Sequence, residues 1–573
     1  MALPIKTSSG PSLSLAEIAD PLTSFAIFVF LVFLYTANGT FLFNVDTEVN
    51  AINAVQLVER QQLLFTPETS PEYYLWSIRG PTGSVPVSVE LFDSSVNELK
   101  ENGILEVTGE SYVIRASRFP GHSINTFGWG VAVASAPIIA FLDPWLSNPE
   151  TRREWIWRGG KLAASLFAAG SVVCIFLTAR LYAGLASALL VALAYGIGTS
   201  VWSVSSQALW PHGPSEFFLS LGTYGLVRSR RDIPFAALSG FAYGWATCCR
   251  QPSAMAVISA GLFLMVTNFR AFFWFVLGGL PFAIAMFGIN AWCYGSPFHF
   301  GELLVPELAK ETTGNPSIWQ TPIGLGLTSL LFSPSRGLFI YSPFLLFSLY
   351  GAILVWHEPR FRDLRPATIT VALMWVVHAH YFDWWGGWSY GYRHIVDSTT
   401  FLALLLCPVL SWIRTSRIRV ALFALSLGWS VFVQGIGAWA FDVSGWNGRK
   451  MIVRVDKHGH ENFLRYLSVD EASRIENGLA PDEKIINLDI DRPENRHRLW
   501  SLTDHQIGYY IRHFKDSVEC RRRANQYVSR SINDRRIETY RGLKNALNLA
   551  GLSPWAQKFA LYDDDAIPAI ESK

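Results

Sequence analysis

Charge is scarce in this chain. Only 16% of its 573 residues are Asp, Glu, Lys or Arg, well under the roughly 25% of ordinary soluble domains. Cysteine is scarce too. Cys174, Cys248, Cys249, Cys293, Cys407 and Cys520 are the full set, and five of them lie in or beside apolar segments. That pattern argues against a disulfide framework and for packing. The sequence has no Walker A loop, no zinc-type spacing and no convincing repeat, which argues against P-loop NTPases, zinc modules and solenoids. A net charge of +2 gives no reason to expect a nucleic-acid partner. The first apolar run, 22–43, is too long for a signal-peptide core and has no small-residue cleavage site after it.

What the chain does have is apolar residue, at 50% of the whole, gathered into blocks that approach the ~20 residues needed to cross a bilayer core. Spans are expected near 22–43, 159–179, 183–202, 212–227, 234–250, 253–269, 271–292, 337–356, 367–380, 395–413 and 418–440. The breaks between them differ in charge. Arg228, Arg230 and Arg231 fill one, Arg360, Arg362 and Arg365 another, and Arg414, Arg417 and Arg419 a third, with Arg180 and Arg270 in two more. Segment 203–211 has no basic residue and 381–394 only Arg393. The positive-inside rule puts the arginine-rich breaks in the cytoplasm. The expectation is an all-α polytopic membrane protein with about eleven spans, an inside N-terminus and an outside C-terminus. Segment 127–147 breaks that parity if it spans, so it is expected to be a juxtamembrane or re-entrant helix. A long first loop (44–157), the breaks 203–211, 293–336 and 381–394, and a polar tail (441–573) then share the outer side. The tail, with runs such as "LSVDEASRIENGL" (467–479), is expected to be a small mixed domain beside the membrane domain 1–440.

Asp46 and Glu48 follow the first apolar run within a few residues. A carboxylate at that depth is costly unless it meets water or a partner, which makes it a candidate site; the alternative is that both acids mark the interface or cap the helix 47–60. At a water–lipid boundary such a carboxylate can take the proton of an acceptor hydroxyl as it attacks a sugar's anomeric carbon. A leaving lipid phosphate then needs cations and hydrogen-bond donors.

A first span, an outward acid and a long first loop with juxtamembrane helices, together with "SSQALWPHGPSEFFL" (205–219), "LLFSPSRGLFIYSPFLL" (330–346) and "WWGGWSYGYRH" (384–394), resemble the GT-C superfamily of integral-membrane glycosyltransferases. The closer likeness is to the bacterial branch near the protein mannosyltransferases and the lipid A aminoarabinose transferases, over roughly residues 20–445. The resemblance implies a transferase using a polyprenyl-phosphate-linked sugar, at the bacterial plasma (inner) membrane, with Asp46 as catalytic base. Many relatives carry two adjacent acids there; here Thr47 separates Asp46 from Glu48. The "WWD" motif of oligosaccharyltransferases appears here as "DWW", and its role is not carried over.

Candidates for the donor phosphate are basic and face outward: Arg118, His212, Arg250, Arg336 and Arg393, with Arg250 and Arg336 favoured and the resemblance supporting Arg250. Arginine suits a bidentate phosphate contact. In "HYFDWWGGWSYGYRH" (380–394), Trp384, Trp385, Trp388 and His394 read either as an interfacial belt or as the wall of a sugar site; the second is expected, with Glu48 nearby. No cofactor is expected. Asp46 and Glu48 could ligate a metal, but the branch does not require one. The expected partners are the lipid-linked donor, a glycan, lipid or protein acceptor, and membrane lipid. The competing reading is a transporter or flippase for a lipid-linked glycan, which should show two related halves with broken helices at the midplane; the sequence has no such symmetry.

Overall fold

A computed structural model describes residues 15–303, 305–456, 461–467 and 479–562. The architecture is mostly helical. Three described helices are long and apolar enough to cross a membrane: Arg152–Arg180, Phe269–Tyr294 and Arg417–Ala440. Of the remaining expected spans, five are single shorter helices, Leu15–Thr36, His212–Arg228, Phe235–Cys249, Ala254–Thr267 and Arg365–His380, and three are broken rods. Leu185–Gly198 continues into a π-turn over Val201–Ser205. The expected span 337–356 is Leu338–Tyr341, a 3-10 turn over Pro343–Leu345 and then Leu346–His357. Pro343 sits at the break, because proline removes a backbone donor and clashes with the preceding turn. Segment 293–336, expected as a loop, contains the helix Ile323–Phe332.

Small residues bring the rods together. A Cβ on Gly240 would lie 1.8 Å from the Phe275 carbonyl oxygen, and one on Gly278 would lie 2.0 Å from that of Ala237. Helices Phe235–Cys249 and Phe269–Tyr294 therefore meet backbone to backbone, as small-residue seams allow. The arginine-rich breaks also meet one another. Arg180 pairs with Asp20 at 2.8 Å and Arg230 with Asp363 at 3.2 Å, while Arg360 donates to the Tyr182 carbonyl and Arg414 to Ser187 Oγ at 2.7 Å.

The stretch 127–147 forms Gly130–Phe141 and Asp143–Leu146. Twelve residues rise about 18 Å, short of the ~30 Å of a bilayer core. The first loop departs from the helical expectation in carrying two three-stranded sheets. Tyr74–Gly80 pairs antiparallel with Gly83–Val87 and with Leu105–Glu110; Ser123–Asn125 joins Leu64–Phe65 and Ile114–Ala116. Alternation in "YLWSIRG" buries Trp76 and Ile78 on one face.

The tail has its own sheet, Lys450–Val455 between Glu461–Leu467 and Glu483–Asn487, yet its last long helix, Ile532–Leu549, joins the first loop. Leu543 and Leu547 are buried in one apolar core with Trp76, Ile78 and Leu105. Tyr540 donates to Asp93 at 2.6 Å, and the Thr82 hydroxyl to the Leu549 carbonyl at 2.6 Å. The run "LSVDEASRIENGL" lies almost wholly outside the described residues, as does the N-terminus whose side was expected.

Candidate functional site

Helix Val45–Arg60 begins where Asn44 caps it, accepting from the Asp46 amide at 2.9 Å. That places the Asp46 carboxylate on the wall of a cavity of about 1310 Å³, where the first loop, the bundle and the tail meet. Both carboxylate oxygens are engaged. Oδ1 accepts from the Tyr112 hydroxyl at 2.6 Å, and Oδ2 from Arg393 at 2.9 Å. Arg393 in turn lies over the Trp210 ring, 4.2 Å from its centroid. Burial and the adjacent Asp46 charge hold the Tyr112 phenol well above its usual range.

Glu48 takes a different path. Two positions along an α-helix is about 200° of turn, so Glu48 points away from the cavity and pairs with Arg153 at 3.6 Å. Burial raises its carboxyl. The pairing of Asp46 and Glu48 as metal ligands or sugar contacts is therefore not formed. Among the described residues no group of three or more His, Cys, Asp or Glu side chains could hold a metal ion.

The cationic wall is built on a residue that the sequence reading missed. Asp397, 1% exposed, accepts from Arg250 and, at 3.3 Å, from His212 Nδ1, both through Oδ2. A carboxylate only accepts here, so His212 Nδ1 carries a proton. Arg250 also reaches His378 Nε2 at 3.0 Å, and His378 Nδ1 bonds the Met374 carbonyl at 2.7 Å. Arg250, His212, His378, Arg393 and His394 all line the cavity.

Arg336, favoured as a phosphate ligand, does not line it. Its guanidinium is 1% exposed and is spent on oxygen acceptors: the carbonyls of Trp385, Ser335 and Gly387 and the Asn447 side chain, at 2.8, 3.0, 3.1 and 2.8 Å. It holds up the loop rather than facing a ligand. That loop turns through Gly386 and Gly387, with φ of +76° and +57°, a region costly for any side chain. Asp383 caps the turn by accepting both glycine amides at 3.1 Å.

The tryptophans divide in the same way. Trp388 lines the cavity and donates to Asp489 at 2.8 Å. Trp385 is 2% exposed behind the wall, donating to Asp491 at 2.8 Å, and Trp384 packs edge-on against it. Neither lines the cavity. Arg118 is exposed, lies over Phe119 and is off the cavity as well, because its turn packs by backbone against Cys293.

Acids supply the other wall. Burial lifts Glu302 to about 7, against the pull of Arg250 and Arg393. It lifts Asp491 to about 7, helped by Asp383. Asp383 itself rises through burial although Arg393 opposes it. The signal for Asp397 was present, since an acid inside an apolar run is a site by default; Asp491 lies in the tail, where no pattern connects it to residue 383. Compared with known proteins, the chain matches no protein-family model and no curated protein.

Proposed function

We propose that this protein is an inverting glycosyltransferase that moves a sugar from a polyprenyl-phosphate donor to an acceptor hydroxyl. The observation behind this reading is one cavity lined by the Asp46 carboxylate, the Arg250, Arg393 and His212 side chains and the Trp388 ring, from segments hundreds of residues apart in the chain. Base, phosphate cradle and sugar platform are the three parts that such a transfer needs.

The donor phosphate lies against Arg250 and His212, with the prenyl chain along apolar lining such as Met255 and Val377. The acceptor hydroxyl takes the place of Tyr112 at Asp46 Oδ1, while Arg393 keeps the carboxylate aimed from Oδ2. The acceptor oxygen bonds to the anomeric carbon from the face opposite the phosphate, and its proton passes to Asp46. The carbon–oxygen bond to phosphate breaks, and its electron pair leaves with the lipid phosphate. Arg250 and Arg393 meet that charge as it develops, where it lowers the barrier rather than merely tightening binding. No cofactor takes part.

In this reading the chain crosses a bacterial plasma (inner) membrane about eleven times, several spans being broken helices. Its N-terminus is cytoplasmic and its tail extracytoplasmic. The gathering of the arginine-rich breaks through Arg180, Arg230, Arg360 and Arg414, with none of the four in the cavity lining, supports that topology. In a Cys520→Ser background, impermeant thiol labelling from outside should modify a cysteine at exposed Asn102 and spare one at exposed Arg231; the reverse pattern would contradict it.

The activity test incubates purified protein with a polyprenyl-phosphate sugar and candidate acceptors. Acceptor-dependent release of free polyprenyl phosphate, lost in Asp46→Asn, supports the transferase. Translocation of the lipid across vesicles without release, untouched by Asp46→Asn, would hand the molecule to the flippase reading.

A further inference from the structure

The cavity has a second end, away from Arg250, walled by the tail helix Phe514–Val528 and by chain just beyond the first helix and beyond Arg417–Ala440. Arg521 lines this end although it is only 2% exposed. It donates to the Ala438 and Phe441 carbonyls at 3.0 and 3.3 Å and to Gln207 Oε1 at 3.0 Å; its Nε has no partner. Behind it sits Lys161, 6% exposed, whose ammonium donates to Asn38 Oδ1, the Thr40 carbonyl and the same Gln207 Oε1 at 2.9, 2.9 and 2.8 Å. The Asn38 amide donates to that oxygen as well, at 2.7 Å.

One amide oxygen with two lone pairs thus serves three donors. Every acceptor here is a carbonyl or amide oxygen, and among the described residues Arg521 has no ion-pair partner. Dipoles satisfy hydrogen bonds, but they do not cancel charge. A buried guanidinium without a counter-charge is expensive, and an entering anion removes that expense. The carboxylate whose charge acts on Arg521 is Asp442 on the same wall, and burial pushes that carboxyl up to about 7, so near neutral pH it supplies only part of a charge. Arg523, largely exposed, lines the same end, as do Leu42, Phe43 and Val443.

We infer that this end of the cavity is a second anion site, taking a phosphate group, with Arg521 as contact, Lys161 holding the shared Gln207 oxygen behind it and Arg523 at the entrance. It shares no hydrogen-bond partner with Arg250, whose contacts are Asp397 and His378. The inference goes beyond the transferase reading and does not rest on it. Phosphate chemistry has two sources here, a lipid headgroup or a soluble phosphate.

A native probe exists. Cys520 is exposed and lines this end of the cavity, while the other five cysteines are buried. The full chain in phosphatidylcholine nanodiscs is labelled with a maleimide, with inorganic pyrophosphate in one arm, phosphatidic acid in the disc in a second, and chloride of matched ionic strength as control. Pyrophosphate or phosphatidic acid should slow the labelling saturably and chloride should not. Arg521→Gln should abolish the protection while Arg250→Ala preserves it. Protection by pyrophosphate alone identifies a soluble phosphate, and by phosphatidic acid alone a headgroup. If Arg521→Gln fails to fold, Arg521→Lys keeps the charge without the fork and should weaken the midpoint about tenfold, the cost of one charge-assisted hydrogen bond. No protection of the wild-type thiol in either arm, protection that survives Arg521→Gln, or an unmoved midpoint in Arg521→Lys would each overturn the inference. No arm needs turnover, so the result stands apart from the transfer assay.

Discussion

Arg250 and Arg336 make a useful pair. Both follow the end of an apolar stretch, and both are buried, at 6% and 1% exposed. Arg250 shares one carboxylate with His212 on a cavity wall, whereas Arg336 is surrounded by carbonyl and amide oxygens behind the 385–387 loop. An arginine whose nitrogens are all spent on carbonyl and amide oxygens, walled off from the cavity, acts as a strut. One that lines the cavity is placed to meet an anion there. The difference lies in cavity access together with the partner set, and both are tertiary properties.

The sharpest way to break this comparison is to remove the shared carboxylate. Asp397→Ala leaves Arg250 buried and uncompensated, which should cost about 3–5 kcal/mol, read as a large fall in thermal midpoint in detergent; an unchanged midpoint would mean that the wall does not depend on Asp397. Next is the strut. Arg336→Met strands the carbonyls of Trp385 and Gly387 and should cost about 1–3 kcal/mol, with folded yield and transfer falling together and the donor KM unchanged. A selective rise in donor KM would put Arg336 back among the phosphate ligands.

Charge on the acidic wall gives a smaller, directional effect. Asp491, held near 7 by burial and by Asp383, binds its proton more tightly folded than unfolded. Its contribution to stability is therefore present at low pH and lost as pH rises from the ordinary carboxylate range through about 7. The wild-type unfolding midpoint should fall across that window more than that of Asp491→Asn, and parallel curves would contradict the assignment. Smallest is Tyr112→Phe. It frees Asp46 Oδ1 from a hydroxyl that competes with the acceptor, so the acceptor KM should fall about tenfold, the low end for one hydrogen bond to a charged group. A raised acceptor KM would make Tyr112 a binding residue instead.

The helices were legible because bilayer-length apolar runs are a one-dimensional signal. Of the residues that parity was expected to gather on one side, Asp46, His212, Arg250, Arg393 and His394 line one cavity, while Arg118 and Arg336 do not. The sheets of the first loop were legible too, in the alternation of "YLWSIRG", but were not drawn from it. The strut role of Arg336, the outward turn of Glu48 and the burial of Trp385 behind the wall were not legible. Each depends on which neighbour a folded backbone presents. Asp397 shows the remaining gap: an acid inside "IVDSTT" flags a site, but only the fold reveals that it binds Arg250 and His212 together.

In the proposed transfer, Asp46 takes the acceptor's proton as the sugar leaves its lipid phosphate. The direct test measures acceptor-dependent release of polyprenyl phosphate by purified wild type and Asp46→Asn, matched for folded protein. The amide keeps size and polarity but cannot accept the proton, so turnover should fall about a hundredfold or more. Release at the wild-type rate by Asp46→Asn, or no release by the wild type with any donor and acceptor pair, would contradict the account.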